Sequence, residues 1–119
     1  MATRILNNVT ATGTSDPVFV KGIHKHSVQC RFSNVGGSVT ALTVVLQGTL
    51  DNLSIANAGN AYWFTLQSYS FNATELAALQ AIFHVVDHPV ECVRLNLSTL
   101  TATGTTTINA DYLGSGGGR

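Results

Sequence analysis

Alternation of apolar and polar residues dominates this sequence and predicts β-strands along most of its length. Residues 42–47 alternate with the period of a strand that has one buried face, and their second face is partly apolar as well. We therefore expect a central strand, or one that a partner covers. A turn is predicted over Gly48–Asn52, followed by a polar loop and a second strand that carries Tyr62, Trp63 and Phe64. This stretch predicts the core of a β-sandwich.

Shorter runs with the same alternation predict further strands on both sides of this stretch. They cover Val18–Lys21, Ile23–Phe32, Ser68–Phe71, Val90–Leu97 and Thr105–Leu113. Residues 1–12 are predicted to form either an edge strand or an extended N-terminal arm. Residues 114–119 form a Gly-rich C-terminal tail with the composition of a flexible linker. We expect an all-β fold, a single β-sandwich or jelly-roll-like domain over residues 13–113.

One segment departs from the strand period and predicts a short α-helix over about residues 73–84. Asn72 and Glu75 have the spacing of a capping box, in which each side chain bonds the backbone of the other residue. Apolar side chains follow at helical spacing, namely Leu76, Leu79, Ile82 and Phe83.

The charge content limits the kinds of partner that the protein can have. Formal net charge is zero, so no basic surface is predicted to bind nucleic acid. Charged residues make up 10% of the chain, against roughly 25% in a typical soluble domain, and Thr, Ser and Asn replace them. A surface this poor in charge suits a protein whose faces are covered by neighbouring subunits. An ordinary all-β domain with a Thr-rich surface fits the composition equally well.

The chain ends and cysteines indicate where the protein is made. The N-terminal residues contain no apolar run long enough for a signal peptide, and no stretch approaches membrane-spanning length. We expect synthesis in the cytoplasm and no membrane partner. Cys30 falls in phase with Val28 and Phe32, whereas Cys92 is out of phase with Val93. One thiol is therefore predicted to face the core and the other not, without a disulfide between them.

The pair His24 and His26 is the strongest candidate for chemistry. Two histidines two residues apart on a strand point the same way and can share a metal ion, and His84 and His88 could complete the shell. Cupins, which are jelly-rolls of this size, use such a pair, but they need a glutamate a few residues later, where this chain has Ser27–Cys30. The alternative is that these histidines face solvent or a neighbouring protein. We predict no metal site, no cofactor and no catalytic residues, because no catalytic family pattern surrounds either cysteine or the six carboxylates.

A resemblance to a known class of protein lies in the central part of the chain. Leu46–Asn52 followed by Trp63–Leu66 resembles the L-x-G-S-x-D-x-x-x-W-x-x-L pattern of small β-sandwich virion proteins of tailed bacteriophages. Val93–Leu100 followed by Thr105–Tyr112 is similar to their closing strand pair. The same arrangement of strand, turn and Trp occurs in galactose-binding-like jelly-rolls.

The resemblance implies a structural virion protein, specifically a capsid decoration (cement) protein on a phage head. Such a protein would bind itself, as a trimer, and the major capsid protein, and would bridge adjacent coat subunits. A terminal arm would reach a neighbour, which makes Arg4, Ile5 and Leu6 the expected arm contacts.

Two other roles in a virion are also compatible with the sequence. One is a carbohydrate-binding or host-attachment module that uses Trp63, Tyr62, Asn57 and Asn60, with Trp63 as the aromatic residue predicted to face outward. The same four residues could instead contact a protein partner. The other role is a ring component of the neck or tail.

Overall fold

The computed structural model describes residues 2–115, most of which lie in β-strands. In chain order the elements are β1 (Thr3–Val9), β2 (Gly13–Thr14), β3 (Val18–Phe19), β4 (Lys25–Val35), β5 (Val39–Thr49), α1 (Leu53–Asn57), β6 (Phe64–Ser70), α2 (Ala73–Ala78), β7 (Gln80–Val85), β8 (Cys92–Ala102) and β9 (Thr105–Ser115). The predicted all-β architecture is confirmed, and the two helices within residues 2–115 have five and six residues.

The strands form two antiparallel sheets that share one core. The first sheet has the order β1-β9-β4-β7, and the second has the order β2-β8-β5-β6, with β3 also paired to β8. When β2 and β3 are counted as one interrupted edge strand, this order is the connectivity of an eight-stranded jelly-roll sandwich. The long strands β5 and β8 lie at the centre of one sheet, as the alternation in residues 42–47 predicted.

Two glycine-containing corners carry the chain from one sheet to the other. β4 passes to β5 through Gly36 and Gly37, and β8 passes to β9 through Gly104. The corners pack against each other so tightly that a Cβ on Gly37 would lie 2.3 Å from the backbone of Thr103. Gly104 has a φ of +72°, and a Cβ there would lie 2.4 Å from the carbonyl oxygen of Val35. Only glycine fits both positions.

The core fills the space between the sheets with aliphatic and aromatic side chains. From β5 it receives Leu42, Val44 and Leu46, and from β8 it receives Val93, Leu95 and Leu97, all of them fully buried. The residues between them on β5, Thr43 and Val45, and the following Gln47 point to the outer face and are partly exposed. This alternation is what the sequence pattern requires of a sheet with one covered face.

The helix predicted over residues 73–84 is shorter than expected, and its second half is a strand. The capping box at Asn72 and Glu75 is present, but Leu79 has a φ of 63° and ends α2 after Ala78. Residues Gln80–Val85 then alternate exposed and buried side chains as β7 and pair with β4. The helical spacing misled the prediction because Leu76 and Phe83 reach the core from two different elements.

The N-terminal segment belongs to the sandwich. Residues Thr3–Val9 form β1, which pairs with β9 at the edge of the first sheet, so the edge-strand alternative describes this segment. At the other end β9 continues to Ser115, and the first two residues of the predicted Gly-rich tail are therefore part of the sheet. The rest of that tail, residues 116–119, lies outside the described residues, as does Met1.

Both cysteines are buried and free. Cys30 belongs to the main core cluster, as its phase with Val28 predicted. Cys92 is equally inaccessible, although its phase places it on the other face of β8, outside that cluster. The two thiols thus point to opposite faces of their sheets relative to the core, as expected. Both are nevertheless hidden from solvent.

Candidate interaction surface

Three large apolar side chains are exposed at the end of the sandwich where β5 leads to β6. The exposed fractions of Leu50, Tyr62 and Phe64 are 79%, 78% and 66%. They border a groove of about 350 Å³ whose lining also includes Leu66 and Val90. We call these three side chains and the groove the aromatic surface. A cluster of exposed apolar groups around a concavity is typical of a binding surface.

A small hydrogen-bonded turn holds this surface in place. The Oδ2 atom of Asp51 accepts bonds from the Thr49 hydroxyl at 3.1 Å and from the backbone N–H of Tyr62 at 2.9 Å. The Thr49 hydroxyl in turn accepts from the backbone N–H of Asp51 at 3.1 Å. Asp51 therefore fixes the start and the end of the segment between β5 and β6, so that Leu50 and Tyr62 project from neighbouring positions.

The groove depends on the absence of a side chain at Gly48. A Cβ at this position would lie 2.8 Å from Val90 Cγ1 and 3.0 Å from Leu66 Cδ1. Glycine thus lets Val90 and Leu66 approach the β5 backbone and form the inner lining of the groove. This gives a physical reason for the glycine that the sequence placed in the predicted turn.

The asparagines predicted to contact a ligand lie on the same segment. Asn52 caps α1 by accepting a bond from the backbone N–H of Ile55 at 3.0 Å, and α1 ends at Asn57. The backbone N–H of Asn60 donates to the Ile55 carbonyl at 3.1 Å. Asn57, the last residue of this short helix, and Asn60 beyond it are both exposed. The structure therefore brings Asn57, Asn60 and Tyr62 onto one surface segment.

Trp63 is oriented differently from the prediction that it faces outward. It is half-buried, and the guanidinium carbon of Arg94 lies 4.5 Å from the ring centroid, in a cation–π arrangement. The Arg94 Nε atom donates to Gln47 Oε1 at 2.7 Å, which fixes the guanidinium over the ring. Burial lowers the pKa of Arg94 from its ordinary value. Of the three consecutive aromatic residues in this segment, Tyr62 and Phe64 are therefore the exposed ones, because Trp63 is covered from β8.

A buried histidine connects the groove to the first sheet. His26 is 1% exposed, and its Nε2–H donates to the His88 carbonyl at 2.9 Å. Its Nδ1 then accepts from the Tyr112 hydroxyl at 2.5 Å. The bond to His88 holds the loop before β8, which supplies Val90 to the groove. His26 is thus a structural residue in the core, which corrects the expectation that it faces solvent or a neighbour.

Burial shifts the pKa values of His26 and Tyr112 so that the neutral form of each is favoured. It lowers the pKa of His26, an effect opposed by the backbone hydrogen bond to His88 and reinforced by the charges of His88 and His24. It raises the pKa of the Tyr112 hydroxyl. Both groups are therefore held in their neutral forms.

The cysteines lack the surroundings of reactive thiols. Burial raises the pKa of Cys30 to about 12, and burial followed by the charges of Glu91 and Asp51 raises the pKa of Cys92. The thiolate, which is the nucleophilic form, is disfavoured at both positions. Within residues 2–115, no group of three or more His, Cys, Asp or Glu side chains is placed to hold a metal ion. Neither helix in that part of the chain could cross a membrane.

The expected arm contacts are engaged within the chain itself. Ile5 and Leu6 are buried in the core cluster and so are not available to a neighbouring subunit, which corrects that expectation. Arg4 is exposed, but its Nε donates to Asp111 at 2.5 Å and its Nη1 donates to Asn109 at 3.1 Å. A short apolar run near the start of a chain is as typical of an edge strand as of an arm, which is why the sequence left both open.

Sequence reasoning identified Tyr62 but missed the rest of the aromatic surface. The sequence pattern places Leu50 in a turn and Phe64 in a strand, and the groove between them requires Val90, which is distant in sequence. The one available indication was Leu50 itself, an apolar residue inside an otherwise polar turn.

The architecture around this surface is that of an all-β sandwich with two antiparallel sheets. Comparison with solved structures finds the same fold in the crystal structure of SPBc2 prophage-derived protein YomS, with a TM-score of 0.57 and 13% sequence identity. The match covers 97% of this chain and 92% of that one, so the two folds correspond over almost their whole lengths. No protein-family model and no curated protein sequence matches the chain.

Proposed function

We propose that this protein is a structural component of a phage or prophage particle that acts by binding other protein subunits. The observation that carries this proposal is the aromatic surface, where Leu50, Tyr62 and Phe64 expose apolar area around a groove. Exposed aromatic side chains beside a pocket are the kind of groups that dominate protein–protein binding energies. The fold likeness to a prophage-derived protein and the low charge content support the same role.

The specific form that we propose is a capsid decoration protein, which binds the major capsid protein on the outside of a phage head. Each copy would place its aromatic surface against the coat. Many such contacts in a symmetric array would stabilise the shell even though each one is modest. The trimer implied by the sequence resemblance stays a prediction.

A binding experiment with isolated heads of the phage that encodes the chain tests this role. We expect the purified protein to sediment with the heads, and the double substitution Tyr62→Ala and Phe64→Ala to weaken binding roughly tenfold or more. Leu113→Ala is the matched control, because Leu113 is also an exposed apolar residue but lies on β9. Equal binding by the double variant and the control would refute the proposed role of the aromatic surface.

Copy number separates the head from the neck or tail. A decoration protein occurs in about as many copies as the coat subunits it bridges, on the order of hundreds, whereas a ring component occurs in about six or twelve. Quantitative mass spectrometry of the intact particle, relative to the major capsid protein, gives this ratio.

One observation favours the carbohydrate-binding alternative as a second candidate. The Tyr62 ring is exposed and shares its segment with Asn57 and Asn60, so an aromatic face and amide groups occur together. Trp63 contributes less than predicted, because Arg94 covers its ring. Glycan-array binding that Tyr62→Ala abolishes, together with no binding to heads, would select this alternative over the decoration role.

A further inference from the structure

The outer edges of the two sheets differ in how well they are protected against pairing with another strand. β1 has register shifts on both sides of Leu6, and β2 and β3 are two residues long and separated by a segment that contains Pro17. β6 has a register shift opposite Leu46. Bulges, short strands and prolines are devices that prevent edge-to-edge pairing. β7 has none of them, since its six residues pair with β4 without a shift and include no charged residue and no proline.

The backbone of β7 presents hydrogen-bonding groups to its open side. The Phe32 N–H donates to the Leu79 carbonyl at 3.0 Å, which sets the phase of the ladder between β4 and β7. Bonded positions alternate in an antiparallel pair, so those on β7 are Ala81, Phe83 and Val85. The N–H and C=O groups of the residues between them point away from β4, namely Gln80, Ile82 and His84. Within residues 2–115, no strand pairs with this side of β7.

The side chains beside this edge are apolar and only partly covered. Ile82 and Val86 have exposed fractions of 53% and 55%. A groove of about 450 Å³ lies where α2 meets β7, and its lining includes Ala78, Gln80 and Ile82. An extended chain added to β7 would therefore meet apolar contacts as well as free backbone groups, the combination used in β-strand addition.

We propose that β7 pairs with β7 of a second copy of this chain, antiparallel and about a two-fold axis beside Ile82. The added strand must be an extended backbone, because the unpaired groups are spaced as a ladder. A second copy fits because β7 is self-complementary in this register. Ile82 lies opposite its own counterpart at the centre, and Gln80 lies opposite His84 of the second copy on each side.

The same register gives the exposed Val86 a place to bind. Val86 of the second copy lies four residues from the axis and extends past Gln80, where the ladder ends because Ala78 belongs to α2. Ala78 lines the groove between α2 and β7, and the groove would receive the Val86 side chain. Two-fold symmetry forms this contact twice. No Lys, Arg, Asp or Glu lies on β7, so no like charges oppose each other across the axis.

The resulting assembly is a closed dimer in which the first sheet of each copy continues into that of the other. The interface is isologous, so it closes at two copies, in contrast to the trimer implied by the sequence resemblance. The inference does not rest on the proposed particle role, because the aromatic surface is formed by other residues.

Mass measurement across a concentration series tests the dimer. We expect light scattering after gel filtration to show a dimer of the wild-type chain within roughly 1–100 µM, the range in which interfaces of modest area dissociate. Ile82→Lys places two like charges opposite each other at the axis and is expected to weaken dimerisation roughly a hundredfold or more. Leu113→Lys is the matched control, since Leu113 is 43% exposed on β9 of the same sheet, and it should leave the dimer intact.

A cross-linking variant keeps the test decisive if Ile82→Lys fails to fold. Residues directly opposite in a hydrogen-bonded antiparallel pair have Cα atoms about 5.5 Å apart, which suits a disulfide. Ile82→Cys is therefore expected to form a covalent dimer under mild oxidation, whereas Leu113→Cys is not. A wild-type monomer at about 100 µM, a dimer that survives Ile82→Lys, or cross-linking by Leu113→Cys alone would each overturn the proposal.

Discussion

His26 is the buried side chain that ties distant parts of the chain together. Through its two ring nitrogens it joins the start of β4 to Tyr112 on β9 and to the loop at His88. In the neutral ring Nδ1 accepts from the Tyr112 hydroxyl, whereas an imidazolium would donate from both nitrogens, reverse this bond and leave the Tyr112 hydroxyl hydrogen without its acceptor. The loop that His26 holds also lines the aromatic surface, so the protonation state of one residue bears on the candidate site.

The lowered pKa of His26 predicts a pH-dependent stability. In the unfolded chain His26 binds a proton near the ordinary histidine pKa of about 6.5. In the folded chain it becomes protonated only at a lower pH. The free energy of unfolding should therefore be fully present above about pH 6.5 and decline as the pH falls toward the lowered pKa of the folded state. The slope from this residue is at most about 1.4 kcal/mol per pH unit. Urea unfolding between about pH 5.5 and 8 measures it.

A His26→Leu variant is the control for this pH dependence. Above about pH 6.5 it should be less stable by about 1–3 kcal/mol, because the Tyr112 hydroxyl and the His88 carbonyl lose a buried partner. Its slope between about pH 5.5 and 6.5 should be smaller than that of the wild type. Equal slopes would show that His26 is not the source of the pH dependence.

At the scale of elements, α2 and β7 show how a local pattern can fit two structures. The capping box starts α2 as predicted, and the left-handed Leu79 then stops it after six residues. Beyond Leu79 the chain forms a strand in which Ala81, Phe83 and Val85 are buried. Pairing with β4 satisfies the backbone groups that a longer helix would have satisfied internally. The tertiary ladder overrides a helical spacing that local propensity only weakly supports.

The capping box of α2 gives an element-scale prediction. Asn72→Ala removes the acceptor for the Glu75 N–H, a bond of 2.9 Å, and should lower the free energy of unfolding by about 1 kcal/mol. Asn72→Ser keeps a capping oxygen and should stay within a few tenths of a kcal/mol of the wild type. Chemical denaturation of the two variants measures the difference. If both lose the same stability, the cap is not what holds the start of α2.

At the scale of the whole molecule, β1 is part of the sandwich rather than an appendage. Ile5 and Leu6 are members of the core cluster, and β1 pairs with β9 from Ile108 to Tyr112. The burial of two large aliphatic side chains contributes about 3–6 kcal/mol, which is comparable to the whole net stability of a small domain.

Deletion of residues 1–12 is therefore expected to prevent folding. The truncated chain should lose the cooperative thermal transition seen by circular dichroism and the dispersed amide spectrum of the intact protein. Arg4→Ala is the control, because the Arg4–Asp111 pair is largely solvent-screened and is worth at most about 1 kcal/mol. A truncated chain that melts like the intact protein would show that this segment is an arm after all.

The sequence by itself determined the all-β class, the central strand and the positions of its turns. These features follow from a period of two and from turn chemistry, both of which are local properties. Tyr62 was identified in the same way, as an aromatic residue beside a turn. The sequence did not determine the length of α2, because that length depends on the pairing of β7 with β4.

Only the tertiary structure decided which aromatic residues are exposed, where β1 lies and which groups form the groove. Arg94 covers Trp63 across more than thirty positions of sequence, and Val90 reaches the groove through the loop that His26 holds. An alternating pattern predicts which face of a sheet a side chain points to, but it does not predict which residues cover that face. That depends on contacts between residues far apart in the chain, which fold together only when both sheets have formed.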